Sequence, residues 1–382
     1  MKKKFVCSFI VTIFFLQIFT GCFEEEKDEV QEILVPEVHL DYPCILPDWN
    51  DGEYHDYYRT MELLNELQIE YPDLVNVFSI GESVLGRDIW CIRITNENIT
   101  DDKFSCLIDG CIHGLEWEAG EACLYLAEYL LLNSNNNSIA SMLNKSVIYI
   151  VPLVNPDGRQ NNQVGNANGV DLNRNFDIFF GRVRSRVLRF GPFLSKKVGS
   201  YIKFPPNDPY KWWRVSGKQP FSEPESSAIR DLMKTINYQR FSFYVNCHTA
   251  WHNIITPVPW SKKVLNPPFE ITQEEKHVFD YVKDWVETNS EYEADRSEDN
   301  IGGGFADLWC FNEFRIPSFT FEILSEDYDG WTGEQKHDHL VHWMKTTLPV
   351  FMYFLVNIEN LYHWDTPDIQ PLLPDCVPPE PI

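Results

Sequence analysis

Positive charge is what this 382-residue chain has least of: 32 Lys and Arg stand against 57 Asp and Glu, a net charge of −25. An acidic field of that size repels polyanions, which argues against nucleic acid and anionic membrane surfaces as partners. The ten cysteines contain no C-x-x-C metal spacing and are too few for a disulfide-built scaffold. There is no internal repeat, so a solenoid is excluded. What remains is a chain that is 44% apolar, enough for one large buried core.

The first 22 residues read as a processing segment. Lys2 to Lys4 form a positive start, residues 5–19 an apolar run, and Thr20-Gly21-Cys22 a small-residue junction ending in cysteine. That junction resembles a lipoprotein signal in which Cys22 becomes the lipidated first residue, and the run is short for a spanning helix. The domain is therefore expected to be exported, either anchored at the cell surface through Cys22 or secreted. Residues 23–45 form an acidic tether, 46–362 the globular domain, and 363–382 a proline-rich tail. About thirty residues between Cys22 and the first helix leave no room for a globular pro-domain, so activity is expected without processing beyond signal removal. Cys44 and Cys376 flank the domain and can pair if its ends meet, whereas Cys91, Cys106, Cys123 and Cys247 fall inside elements as buried free thiols.

Periodicity predicts a helix over 54–71, with Tyr58, Met61, Leu64, Leu67 and Ile69 near one stripe, then a hairpin of strands 74–80 and 88–95 around Gly81 and Gly86. A strand over 104–108 hands over to a helix over 118–132. The apolar run 147–154 predicts a strand buried on both faces, ending in a turn, N-P-D-G, at 155–158. Ser222 to Glu225 reads as a capping box opening a helix over 226–236. A strand over 241–247, a helix over 275–288, a strand over 317–324 and an amphipathic helix over 334–347 follow. In the 317–324 strand Phe319, Phe321 and Ile323 face one way and Ser318, Thr320 and Glu322 the other. Strands alternating with helices predict an α/β fold, an α/β/α sandwich with a mixed, mostly parallel central sheet.

Chemistry-bearing residues gather at the carboxyl ends of these strands. His113 and Glu116 lie in the connection after the first buried strand, His248 follows the 241–247 strand, and Glu322 lies near the end of the 317–324 strand. A lone H-x-x-E carries little weight, since about one is expected by chance in a chain with ten histidines. Two His and one Glu leaving a fourth position to water are a catalytic zinc set. A carboxylate such as Glu322 is then needed to move the water's proton to a leaving amine. Against this stand plainer readings: core histidines for His113 and His248, a wet helical face for His337, His339 and His342, and helix N-terminal acids for Glu118 and Glu121. His252 is an alternative ligand beyond the strand end.

Seven motifs in order resemble the zinc carboxypeptidase family of the carboxypeptidase A/B type, over roughly residues 54–354. They are Ile80-Gly81 with Gly86-Arg87, H-G-L-E-W at 113–117, N-P-D-G at 155–158, D-L-N-R-N-F at 171–176, P-F-S-E-P-E at 220–225, C-H-T at 247–249 and S-F-T-F-E at 318–322. The resemblance implies His113, Glu116 and His248 as ligands of one zinc ion and Glu322 as general base. It implies Asn173 and Arg174 as the groups that hold a peptide's terminal carboxylate, and Asp171 as the residue that holds the far nitrogen of a ligand histidine. The expected substrate is a peptide or protein C-terminus, and the chain is expected to be monomeric.

The chain departs from the family pattern in three places. No arginine follows Arg159 before Gly169, where the family places an oxyanion donor, and Arg159 stands close to the turn. No tyrosine precedes the Gly302 to Gly304 loop more closely than Tyr292, and Leu115 stands where a polar or basic residue is frequent. Ala306 falls near the specificity pocket, with Asp307 beside it. These departures keep two alternatives open: a cell-wall peptide or small-substrate amide hydrolase on the same fold, and a zinc-binding pseudoenzyme that recognises C-termini. Residues 181–203 carry seven Lys and Arg and no acid. If this segment borders the cleft and draws in carboxylate-bearing substrates, charge reversal of Arg182, Arg184, Arg186 and Arg189 lowers peptide turnover. Unchanged turnover assigns the segment to a solvated loop.

Overall fold

A computed structural model of the protein describes residues 54–180, 216–249, 251–257, 271–296, 303–323 and 332–363. The signal and tether, the basic insertion, the Cys44/Cys376 pair and the tail beyond His363 lie outside them. The first helix, α1 (Tyr57–Glu70), starts three residues later than its periodicity predicts. Asp56 caps it by accepting from Arg59 N at 2.8 Å, and Tyr54 and His55 turn away to buried carboxylates. The buried stripe is correspondingly Tyr57, Thr60, Leu63, Leu64 and Leu67, while Tyr58 and Ile69 are 54% and 79% exposed.

The hairpin is present as β1 (Val75–Glu82) and β2 (Asp88–Ile94), paired antiparallel. Then come β3 (Phe104–Asp109), α2 (Trp117–Leu132), α3 (Asn137–Lys145), β4 (Ser146–Val151) and a short α4 (Pro156–Gln160). After these follow α5 (Pro224–Asn237), β5 (Phe241–Thr249), β6 (Asn253–Thr256), α6 (Gln273–Asn289), β7 (Glu293–Arg296), α7 (Ala306–Phe314), β8 (Ser318–Ile323), α8 (Gly333–Val356) and α9 (Ile358–Tyr362). The strands form one mixed sheet in the order β1-β2-β4-β3-β5-β8-β6-β7. Its middle, β4-β3-β5-β8, is parallel, and the pairs β1/β2, β2/β4 and β6/β8 are antiparallel.

Every residue of β3 and β5 is buried, as continuous rather than alternating apolar runs require of strands covered on both faces. Helix α2 packs on β3, β4, β5 and β8 and is buried around almost its whole circumference. Stacking of Trp285 on Tyr353, 3.9 Å between centroids and 10° between planes, ties α6 to α8. Because β3, β5 and β8 run the same way, their carboxyl ends open on one crevice.

Local chemistry differs from the sequence pattern at three boundaries. N-P-D-G opens α4, with Pro156 in its first turn and Asn155 Oδ1 accepting from Gly158 N at 2.9 Å. Ser222 does not cap α5: Glu223 is the cap residue without a side-chain cap bond, and Glu225 accepts instead from Val84 N and Asn166 Nδ2. Helix α8 continues through Pro349 to Val356, because Leu348 and residues 350–355 are buried and packing outweighs the lost backbone bond. The buried cysteines 91, 106, 123 and 247 are free, as expected. The shifted stripe of α1 predicts that Leu64→Ala, at a fully buried position, lowers the unfolding free energy by about 2–5 kcal/mol, while Ile69→Lys changes it by about 0.5 kcal/mol or less. Urea titration separates the two, and equal effects contradict the assignment.

Candidate metal centre

Two sequence motifs pack as one unit to form the floor of the crevice. After β3, Gly110 N donates to Val151 O, and Val154 N and Asn155 N donate to the carbonyls of Gly110 and Cys111. Asn155 Nδ2 donates to Ile112 O at 3.3 Å and to Val164 O at 3.2 Å. Gly114 lies so close to α4 that a Cβ there would sit 2.0 Å from the Gly158 carbonyl carbon, so only glycine fits. The loop between β3 and α2 is thereby held at both ends, with Glu116 at the amino end of α2.

Three side chains converge on one point. Glu116 Oε1 is 2.7 Å from His113 Nδ1, and Glu116 Oε2 is 2.8 Å from His248 Nδ1. One donor atom from each of the three lies within 4.8 Å of the others, and among the described residues no other group of His, Cys, Asp and Glu does so. Behind them, His113 Nε2 is 3.0 Å from Asp171 Oδ1, and His248 Nε2 is 2.5 Å from Asn246 Oδ1. Acceptors at both outer nitrogens hold the ring protons there, so the Nδ1 protons that face Glu116 are the ones given up to a metal, and the freed lone pairs point to one place. Two imidazole nitrogens and a carboxylate with their backing groups in place fit zinc.

The charges follow from this geometry. Burial pushes the Glu116 carboxyl up, but the neighbouring His113 and His248 outweigh it and hold it down at about 2. Burial pulls His113 down, yet Glu116 and Asp171 raise it to about 10. His248 is also raised, Glu116 outweighing burial. Asp171 is lowered: burial opposes, and Arg174 and His113 prevail.

Glu322 pairs in register with His248 and, as expected, projects from the face of β8 opposite the fully buried Phe319, Phe321 and Ile323. Burial raises its carboxyl to about 7, against the pull of His248. The turn Leu172–Arg174 follows Asp171, and the Arg174 charge pulls the Glu322 carboxyl down. Arg174 is buried, its guanidinium 4.3 Å above the Phe305 ring and its Nη1 donating to Asn173 O at 2.6 Å. Gly304, at φ +82°, permits this: a Cβ there would sit 2.1 Å from Arg174 O. Asn173 Oδ1 accepts from Ala306 N at 2.9 Å, and its Nδ2 lies 3.1 Å from His248 Nε2.

Other residues weighed in the sequence lie elsewhere. Arg159 stacks on Trp117 and donates to His55 O, and Tyr292 is buried with its hydroxyl 2.8 Å from Thr347 Oγ1. His252 packs against Tyr292 and Trp343, and His339 Nε2 accepts from Trp343 Nε1. Glu118 and Glu121 are buried acceptors for Tyr54 and His55. Asp307 is buried, with Leu308 N and Thr320 bonding to it. Asn246 is the participant the sequence reading passed over; its signal was a polar residue two positions before a histidine in an otherwise apolar strand.

Because both histidines hold protons more tightly than usual in the metal-free protein, a metal must displace them. Apparent zinc affinity is therefore expected to rise with pH through the range below about 10, as the ligands give up protons. Competition with a chromophoric chelator from pH 6 to 9 measures this, and a pH-independent affinity contradicts the ligand set.

The description zinc carboxypeptidase matches residues 60–337. A zinc carboxypeptidase of Saccharothrix mutabilis subsp. capreolus is 30% identical over 144 residues, 34% of this chain and 33% of that protein. Mouse carboxypeptidase D is 36% identical over 135 residues, 32% of this chain and 10% of that protein. The chain thus spans a third or less of the length of these relatives. The crystal structure of carboxypeptidase A from Helicoverpa armigera superposes with a TM-score of 0.60 at 20% identity, covering 80% of this chain and 74% of that one, which shows the fold. With the family profile spanning most of the chain and the His-Glu-His cluster at the carboxyl ends of its parallel strands, this protein belongs to the zinc carboxypeptidase family.

Proposed function

We propose that the protein is a zinc-dependent carboxypeptidase that hydrolyses the last peptide bond of peptides or proteins. The observation that carries this reading is the placement of a buried guanidinium, Arg174, among the charges that act on Glu322 beside the His113–Glu116–His248 cluster. A cation next to a hydrolytic centre selects substrates that end in a carboxylate, and a guanidinium can bind one through two parallel bonds. Zinc, when bound by His113, Glu116 and His248, supplies a Lewis acid that polarises a carbonyl and acidifies water.

The remaining work falls to the chain's own residues. Arg174 holds the substrate carboxylate; Asn173 can assist only through its NH2, which also faces His248 Nε2, since its oxygen is taken by Ala306 N. Glu322 accepts the proton of the attacking water and delivers it to the departing amine. Burial, against the pull of His248, raises the Glu322 carboxyl to about 7, close enough to neutrality for both transfers. Asp171 holds His113 in its ligating tautomer. The buried, bonded Asp307 is committed to Leu308 N and Thr320, so it offers no free charge to select a basic terminal residue. We read the protein as exported, lipid-anchored through Cys22 and monomeric; among the described residues no helix is long and apolar enough to cross a membrane.

Blocked dipeptides with a free terminal carboxylate are expected to be hydrolysed and their amidated counterparts not. Glu322→Gln should abolish turnover with zinc retained, and Arg174→Ala should raise KM about tenfold or more for the free acids while leaving the amides as poor substrates as before. Turnover by Glu322→Gln at the wild-type rate overturns its role as base. Stoichiometric zinc without turnover of any member of the panel moves the protein to the C-terminus-binding reading.

A further inference from the structure

The two imidazoles that face Glu116 are backed by different chemistry. Behind His113 stands a carboxylate, Asp171. Behind His248 stands an amide: its Nε2 is 2.5 Å from Asn246 Oδ1, and Asn246 Nδ2 donates to Asp109 Oδ1 at 2.5 Å. The other Asp109 oxygen accepts from the Tyr244 hydroxyl at 2.9 Å. Asp109, Asn246 and Tyr244 are fully buried and His248 is 2% exposed, so no bulk water competes for these bonds.

Strand periodicity explains the assembly. Tyr244, Asn246 and His248 alternate along β5 and share one face, and Asp109 pairs with Asn246 in the register between β3 and β5. The polarity of the line is set at its far end. Asp109 receives a donor on each oxygen, so the NH2 of Asn246 must point to it and the amide oxygen must point to His248. That oxygen can only accept, and at 2.5 Å it lies nearer to His248 Nε2 than the Asn173 NH2 at 3.1 Å, which places a His248 proton on Nε2 and leaves Nδ1 as the ligating nitrogen.

We propose that Asn246, oriented by Asp109, is the positioning residue for His248: it sets the tautomer and ring plane with which that histidine meets the metal. The proposal rests on the reading of the cluster as a metal centre and adds to it a buried relay outside the ligand set. The His248 arm thus meets the ring with a neutral amide and sets its carboxyl, Asp109, one residue further away, unlike the His113 arm.

The test is zinc affinity of the purified protein by chelator competition, with the d–d spectrum of the cobalt-loaded protein as a second readout of ligand geometry and circular dichroism as a control for folding. Asn246→Ala removes the acceptor and is expected to weaken zinc about 10- to 100-fold and to alter the cobalt spectrum. Asn246→Asp sets two carboxylates against each other and is expected to weaken it similarly. The exchange Asn246→Asp with Asp109→Asn restores both bonds, the amide now at 109 donating to the carboxylate at 246, and should return affinity to within a few-fold of the wild type. Tyr244→Phe leaves the Asn246 bonds in place and should change affinity by less than about threefold. A folded Asn246→Ala protein with unchanged zinc affinity and cobalt spectrum, or an exchange variant no better than Asn246→Asp, overturns the role of Asn246 alone. Failure of the wild type to bind zinc overturns the metal-centre reading and this proposal with it.

Discussion

One carboxylate shared between two imidazoles organises the crevice. Glu116 places one oxygen 2.7 Å from His113 and the other 2.8 Å from His248. A buried anion is costly unless compensated, and here the compensation is built from three separate segments of chain. The loop after β3 brings His113 and Glu116, β5 brings His248, and the turn after residue 170 brings Asp171 to the back of His113. Much of the surrounding backbone serves to hold these segments at the required separation. Gly114 against Gly158 and Asn155 bonded to Ile112 O fasten the ligand loop to α4, and Gly304 lets the loop before α7 close on Arg174.

The arrangement ties the charge of the crevice to the protons on its two imidazoles. Glu116 and Asp171 are held ionised while burial raises Glu322 and Asp109, so a divalent cation at the convergence point takes the place of the protons that Glu116 draws onto His113 and His248. The raised carboxyl of Glu322 reflects burial first: it is desolvated, pulled down by His248 and pushed up by Glu116. A carboxyl held near neutrality and a buried arginine that acts on it, beside one ligand set, suit the terminal peptide hydrolysis proposed above.

Much of the site was legible because its chemistry sits in short, local motifs at strand ends. H-x-x-E, C-H-T and S-F-T-F-E name the side chains directly, and the period of two along β8 told which way Glu322 points. The misses come from effects that depend on tertiary context. The stripe of α1 was misassigned because the face turned to the core carries Tyr57, Thr60, Leu63, Leu64 and Leu67, leaving Tyr58 and Ile69 in solvent. Ser222 has the pattern of a capping box, yet its hydroxyl goes to the neighbouring Glu223 carboxylate and Glu225 is drawn to Asn166 and Val84. The helix expected over 334–347 runs on to Val356, a solid apolar neighbourhood carrying it through Pro349. Asn246 escaped notice because its meaning lies in register: only the pairing of β3 with β5 sets it between Asp109 and His248. Asn173 was assigned to substrate from its motif, and the structure ties half of its amide to Ala306.

X-ray absorption at the zinc edge tests the central claim most directly, because it reports the atoms around the ion without relying on turnover. Buried thiols make the measurement discriminating: Cys111 and Cys247 lie next to the proposed ligands in sequence or in the loop, and neither belongs to the set. The account predicts one zinc per chain, bound by two imidazole nitrogens and carboxylate oxygen with no sulfur in the first shell. A sulfur ligand, a single imidazole, or no stoichiometric zinc would contradict it.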